Sequence, residues 1–180
     1  MRSFNWTIRL ARDADAPTLE KLIPLSVREL QSEYYSAAQM EAAIGSIFGV
    51  DRQLIRDGTY FVVEYESEIV GCGGWSRRKK LFGGDAIGIG EDAILDPKWE
   101  PARIRAFFVH PAFARRGIAH AILLACEEAM RTEKFTSAQM VATLPGELFY
   151  AAFGYTACKR YEIPMANDLM LAVVRMSKQL

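Results

Sequence analysis

Val109-His110-Pro111-Ala112-Phe113-Ala114-Arg115-Arg116-Gly117-Ile118-Ala119-His120 joins the end of a strand to the start of a helix. Arg103 to Val109 (RIRAFFV) reads as a strand, His110 to Arg116 as a loop, and Gly117 to Arg131 as a helix. Helical spacing places Ile118, Ala121, Ile122, Leu124, Ala125 and Ala129 toward a core and leaves Glu127, Glu128 and Arg131 to solvent. The first turn breaks the usual pattern. Helix N-termini favour acids because the dipole is positive there, yet Arg115 and Arg116 stand at this one. Two cations so placed repel each other unless an anion joins them. A pyrophosphate satisfies the arrangement: backbone amides point at its oxygens, small Gly117 and Ala119 let it approach, and the arginines screen its charge. The competing reading is a solvated helix start with both arginines in water. The strand directly upstream and the Gly-x-Ala spacing favour the anion seat.

Upstream of this segment, Thr7 to Leu10 is a short β-type run, and Asp13 or Asp15 can cap a helix carrying Leu19, Leu22, Ile23 and Val27, with Pro17 in its first turn. A second helix is predicted from Ser36, with Met40, Ala43, Ile44 and Ile47 at helical spacing. Asp57-Gly58 is a turn, and Tyr60–Glu64 and Ile69–Trp75 form a hairpin across Tyr65 to Glu68. Residues 77–101 read as one long loop, of the kind that often serves as a lid or binding loop. Downstream come a strand over Gln139–Leu144, a short helix over Pro145–Phe153, and two last strands at Ile163–Pro164 and Leu169–Met176. With no repeat or linker, residues 1–180 are expected to form one α/β domain with a mixed sheet.

Composition removes several classes of function. Lys plus Arg equals Asp plus Glu at 22 each, so no global basic field gathers nucleic acid, and an anion must be held locally. Cys72, Cys126 and Cys158 are scattered without CxxC spacing, which argues against a disulfide framework or a zinc site; Cys72 and Cys126 read as small buried hydrophobes. The N-terminal residues lack the apolar core of a signal peptide, and no stretch is long and apolar enough for a membrane span, so a cytoplasmic location without a membrane partner is expected. His110 and His120 share no ligand partner, so no metal is expected. Gly88-Ile89-Gly90-Glu91-Asp92-Ala93 spells a dinucleotide fingerprint but lacks the preceding strand and would set two acids against a pyrophosphate. Arg77-Arg78-Lys79-Lys80 reads as a solvated face, or else as a contact for a phosphate or acidic substrate. Tyr34, Tyr35 and Trp75 are candidates for lining an acceptor pocket, or equally for simple core or lid packing.

VHPAFARRGIAHAILLACEEAM resembles the coenzyme-A-binding motif of the GCN5-related N-acetyltransferase (GNAT) family, and PGELFYAAFGY resembles that family's later FYxxxGF segment. The likeness is strong from about Ala102 to Tyr155 and weaker at Ile8–Ala11 and Val70-Gly71. It implies a mixed six- or seven-stranded sheet, splayed at the cofactor site and flanked by about four helices. It implies acetyl-CoA as cosubstrate, with the pantetheine arm added to the main chain of Phe107, Phe108 and Val109. The pyrophosphate would then sit on Ala114, Arg115, Arg116, Gly117, Ile118 and Ala119; His120 in the same turn is either a cofactor contact or a neutral helix residue. Two positions depart from the family pattern. Ala114 stands where Gln or Arg is usual, and Thr143-Leu144-Pro145-Gly146 replaces a stretch that often holds Asn.

The resemblance places Tyr150 at the family's tyrosine, a phenol able to return a proton to the departing sulfur. A backbone N–H near Phe108 or Val109 would polarise the thioester carbonyl. No general base is assigned: Glu64, Glu66, Glu68, Asp85, Glu91 and Asp92 read as surface acids, and a water chain can serve instead. The implied activity is acetyl transfer to a primary amine of a small molecule or peptide, with homodimerisation left open. The alternatives are a non-catalytic acyl-CoA sensor and an interaction module on the same fold.

Overall fold

A computed structural model describes residues 5–82 and 93–180. In chain order the elements are β1 (Trp6–Leu10), α1 (Ala16–Leu30), α2 (Ala37–Ala43), α3 (Arg52–Arg56), β2 (Tyr60–Tyr65), β3 (Glu68–Ser76), β4 (Ala102–Val109), α4 (Ile118–Thr132), β5 (Ser137–Thr143), α5 (Leu144–Ala152), β6 (Thr156–Pro164) and β7 (Met170–Gln179). The strands form one seven-stranded sheet in the order β1-β2-β3-β4-β5-β7-β6.

The helices start and stop for local reasons. α1 buries Leu19, Leu22, Ile23 and Val27, as their spacing predicts, with Pro17 in the first turn. Asp15 occupies its N-cap but does not cap it; the carboxylate binds Arg9 at 2.7 and 2.9 Å instead. α2 opens with Ser36 and Gln39 in reciprocal hydrogen bonds, a capping box. It ends at Ala43 rather than continuing to Ile47, because Ile44 is extended and Gly45 has φ +83°. α3, which hydrophobic spacing did not reveal, is capped by Asp51. Glu66 and Ser67, both at positive φ, make the tight turn of the β2–β3 hairpin.

α4 corrects the sequence reading. Ile118 and Ile122 are buried as expected, but so are Leu123, Cys126, Glu127 and Met130, while Leu124 is half exposed. The buried stripe is turned by about one residue from the expected face, and Glu127 enters the core. It can do so because Lys178 Nζ donates to its two oxygens at 2.8 and 3.0 Å and the Tyr155 hydroxyl donates at 3.0 Å. Buried charge is tolerated when paired and hydrogen-bonded. β6 is longer than the predicted Ile163–Pro164 because, as an exposed edge, it shows no apolar alternation.

The core is divided by the sheet. One cluster joins α1, α2 and α3 to Tyr60, Val62, Cys72 and Phe108 on one face; the other joins α4 and α5 to Val63, Val70, Trp75 and Ile104 on the opposite face. Cys72 and Cys126 are buried, and burial pushes the Cys72 thiol up to about 12, so both behave as core hydrophobes. Among the described residues no helix is long and apolar enough to cross a membrane.

Candidate active site

The site begins as a flaw in the sheet. Among the described strands β4 and β5 are the one parallel pair, and they are paired only at Ala102↔Ala138 and Arg103↔Gln139. Beyond Arg103 the strands separate, leaving the rest of the β4 edge without a neighbouring strand. The β3–β4 register also slips, with Cys72 opposite Phe108 but Gly74 opposite Arg105. The extra residue is a bulge on β4, where Ala106 takes φ +56°. Gly73 makes room for it: a Cβ there would lie 2.6 Å from the Phe107 ring.

A cleft of about 260 Å³ fills the gap between the two strands. Its walls are the β4 main chain from Ile104 to Val109, β5 from Met140 to Thr143, and the start of α5. Ala119 of α4 reaches it from one face of the sheet, and Ser26 and Gln31 from the α1 face. Phe107, Phe108 and Val109 line the cleft together with Tyr150.

Ala114 to Ala119 forms the turn at the head of α4. Gly117 is the N-cap with φ +83°, Arg115 has φ +61°, no side chain caps the helix, and its first turn holds no acid. Left-handed backbone at a non-glycine such as Arg115 costs energy that the surroundings must offset, and such residues cluster at ligand clamps. The first helical bond is donated by Ala121 N to Gly117 O at 2.9 Å. The amides of Ile118, Ala119 and His120 come before that bond, where a helix lacks internal partners. Arg115 is exposed and makes no ion pair among the described residues, while Arg116 lies over the Phe113 ring at 5.2 Å. His120 stacks on Phe153, the residue that caps the end of α5, at 4.1 Å, fixing α5 beside this turn.

Tyr150 is 7% exposed and sits edge-on to Phe107 and Phe149, with ring centroids 6.0 and 4.9 Å away. Burial pushes its phenol well above the ordinary tyrosine value, so it stays protonated throughout the neutral and mildly alkaline range.

Two residues of the site left no signal in the sequence. Ser26, on α1, accepts a hydrogen bond from Val109 N at 3.2 Å, and its own O–H has no acceptor among the described residues. Gln31, at the end of α1, lines the cleft with its Oε1 buried and unpartnered among the described residues. Polar residues on the buried side of an amphipathic helix are legible as functional only once the strand they face is known.

Other candidates go elsewhere. Trp75 is a core residue packed on Phe135, and Tyr35 is a strut whose hydroxyl donates to Ala172 O and accepts from Leu144 N; neither lines the cleft, nor does exposed Tyr34. Arg77 pairs with Glu133 at 2.6 Å and Arg78 with Asp57 at 2.7 Å, so the basic run is partly buried and engaged rather than a solvated face. Glu64 is bound by Arg9, and Glu66 and Glu68 lie at the hairpin turn, away from the cleft. Asp85, Glu91, Asp92 and most of the Gly88–Ala93 fingerprint lie outside the described residues. Among those described, no group of three His, Cys, Asp or Glu side chains is placed to hold a metal. Thr143 caps α5 by accepting from Gly146 N at 3.3 Å and lines the cleft, so the stretch that departs from the family pattern still closes one end of it.

A mixed sheet opened at its parallel pair, with a glycine-headed, uncapped helix turn beside the gap, defines an open α/β fold. The sequence matches the model of the acetyltransferase (GNAT) domain over residues 56–157, more than half its length, and the chain belongs to that family. No curated protein sequence matches it significantly. A solved structure described as a GCN5-related N-acetyltransferase, "Aminotransferase, Class-II", from Rhodopseudomonas palustris is similar with a TM-score of 0.71 and 20% identity, covering 97% of this chain and 95% of that one. The PaiA N-acetyltransferase from Thermoplasma acidophilum, solved in complex with coenzyme A, gives 0.65 at 13% identity over 98% and 99% of the two chains. A ribosomal-protein-alanine N-acetyltransferase from Brucella melitensis gives 0.63 at 18% identity over 97% and 99%. Likeness at these identities establishes the fold.

Proposed function

We propose that the protein transfers an acetyl group from acetyl-CoA to a primary amine of a small molecule or peptide. The observation that carries this reading is the coincidence of a freed β4 edge with an uncapped, arginine-flanked amide turn at the head of α4. The two together fit a ligand with an extended amide-bearing arm at one end and a diphosphate at the other. Coenzyme A has that form. The main chain of Phe107, Phe108 and Val109 holds the arm as an added strand. The amides from Ala114 through Gly117 and Ile118 to Ala119 hold the diphosphate, with Arg115 and Arg116 screening it and His120 alongside.

Acetyl-CoA supplies a thioester whose acyl carbon the amine attacks. Val109 N–H donates to Ser26 Oγ, and the free Ser26 O–H carries that polarisation into the cleft, where it stabilises charge gathering on the acyl oxygen. Tyr150, kept neutral by burial, gives its proton to sulfur as the carbon–sulfur bond breaks, and the proton shed by the attacking nitrogen returns to the phenolate through water.

Calorimetric titration with acetyl-CoA, followed by free-thiol release with a panel of amines, tests the reading. Tyr150→Phe is expected to lower kcat by about 10²–10⁴-fold while leaving acetyl-CoA affinity unchanged. Undiminished turnover in that variant removes Tyr150 from the mechanism. Saturable acetyl-CoA binding without turnover for any amine leaves a sensor rather than an enzyme, and absence of binding overturns the whole assignment.

A further inference from the structure

Resting on the acetyl-transfer reading, we infer that the acceptor end of this cleft selects an amine carried on an apolar, uncharged body, with Gln31 Oε1 receiving the amine's N–H. The cleft passes through the sheet, and its two faces differ. The face reached by Ala119, Phe149 and Tyr150 belongs to the α4–α5 side, where the cofactor turn lies. The opposite face is walled by Leu30, Ile47, Phe48, Ile163, Leu171 and Val173. Among the described lining residues the ionisable side chains are Arg105 and Tyr150 alone, and no carboxylate is present. Arg105 brings no net charge, because its guanidinium is paired at 2.5 Å with Asp51, the two side chains 5% and 3% exposed.

Such a wall discriminates by desolvation. A polyamine, an aminoglycoside or a lysine-bearing cationic peptide carries further ammonium groups that must leave water, and the described lining residues offer them no counter-charge. A monoamine on an aryl or branched alkyl body loses only the one charge that it must shed before attacking. Gln31 supplies the polar fix. Its residue is 8% exposed and its Oε1 is an acceptor buried without a partner among the described residues. Orphaned buried acceptors are uncommon in folded proteins, and a donor brought by a ligand, with a turn of the Gln31 side-chain amide that presents Oε1 to the cleft, resolves this one. Ser26, on the same helix and the same wall, is tied to Val109, so the amine held by Gln31 lies on the side from which the acyl group is polarised.

The test measures steady-state acetylation of 2-phenylethylamine, isoamylamine, spermidine and a lysine-containing peptide, each at saturating acetyl-CoA. The expected result is a kcat/KM for the two apolar amines at least about tenfold above both cationic acceptors, a difference of about 1.4 kcal/mol. Gln31→Leu should raise the KM for apolar amines with the KM for acetyl-CoA unchanged, and Gln31→Glu should move preference toward spermidine. Preference of the parent for spermidine or the peptide, with normal turnover, overturns the inference and leaves acetyl transfer standing. Unchanged amine KM values in Gln31→Leu remove Gln31 from recognition. No turnover with any amine overturns both, and acetyl-CoA calorimetry then separates loss of catalysis from loss of cofactor binding.

Discussion

Lys178→Met is predicted to be among the most destabilising single changes outside the cleft. Glu127, 3% exposed at its side chain, accepts from Lys178 Nζ at 2.8 and 3.0 Å, from Tyr155 at 3.0 Å and from Arg131 at 3.2 Å. Methionine preserves the stem that packs near Tyr155 but removes the cation. Breaking a buried pair by removing one partner costs about 3–5 kcal/mol. Tyr155 and Arg131 remain as donors, and Lys178 is itself 23% exposed, so the lower bound of about 3 kcal/mol applies. With an unfolding entropy of about 2.1 cal/mol/K per residue, that cost lowers Tm by about 8 °C in a chain of 180 residues. Thermal unfolding followed by circular dichroism measures it. The double variant Glu127→Leu/Lys178→Met should recover most of the loss, because an apolar pair of similar volume carries no stranded charge. A Tm for Lys178→Met within about 2 °C of the parent, or a double variant lower than either single, would refute the claim that Glu127 is a buried, charge-paired clamp between α4 and β7.

Gly71→Ala is expected to weaken acetyl-CoA binding, because a Cβ there would meet Ile118 Cγ2 at 2.5 Å. Ile118 is the first residue of α4 and its β-branched side chain has little rotamer freedom in a helix, so the displacement passes to the amide turn; calorimetry reads it as a raised Kd with Tyr150 untouched. Ser26→Ala removes the hydroxyl bonded to Val109 N and should lower kcat by about tenfold to a hundredfold with little change in acetyl-CoA affinity, whereas an unaltered kcat would show that the Val109 amide acts without it.

The sequence made the central segment readable because its physics is local. Strand, loop and helix from Arg103 to Arg131 are consecutive, and Gly117, the arginines and the absence of acids speak about the turn they form. α2 was readable at its start, where Ser36 and Gln39 make the cap, but not at its end, which rests on Ile44 leaving the helical region. Glu127 misled because its burial depends on Lys178 and Tyr155, far along the chain, and no helical period contains that information. Ser26 and Gln31 were hidden for the same reason. Their neighbours on α1 are ordinary core residues, and only the separation of β4 from β5 turns that face of α1 into a wall of the cleft. For Trp75 and Tyr35 composition left pocket lining and core packing equally open, and both pack the interior.

The absence of a carboxylate from the described cleft wall has a consequence for how the amine becomes nucleophilic. An ammonium entering an apolar wall is penalised relative to the neutral amine, so its pKa falls on binding. On the proposed reading, the same desolvation favours the neutral nucleophile without a base from the described wall, the proton leaving to water as the acceptor seats. Tyr150 does not oppose this on the alkaline side, because burial holds its phenol protonated beyond the ordinary tyrosine range. The pH profile of kcat should then show one acidic limb and no alkaline limb up to about pH 10. The apparent pKa of that limb should follow the basicity of the amine offered, moving down when a weakly basic amine replaces a strongly basic one. A limb fixed at one pH for amines of different basicity would belong to the protein, and would mean that a side chain, not desolvation, removes the proton.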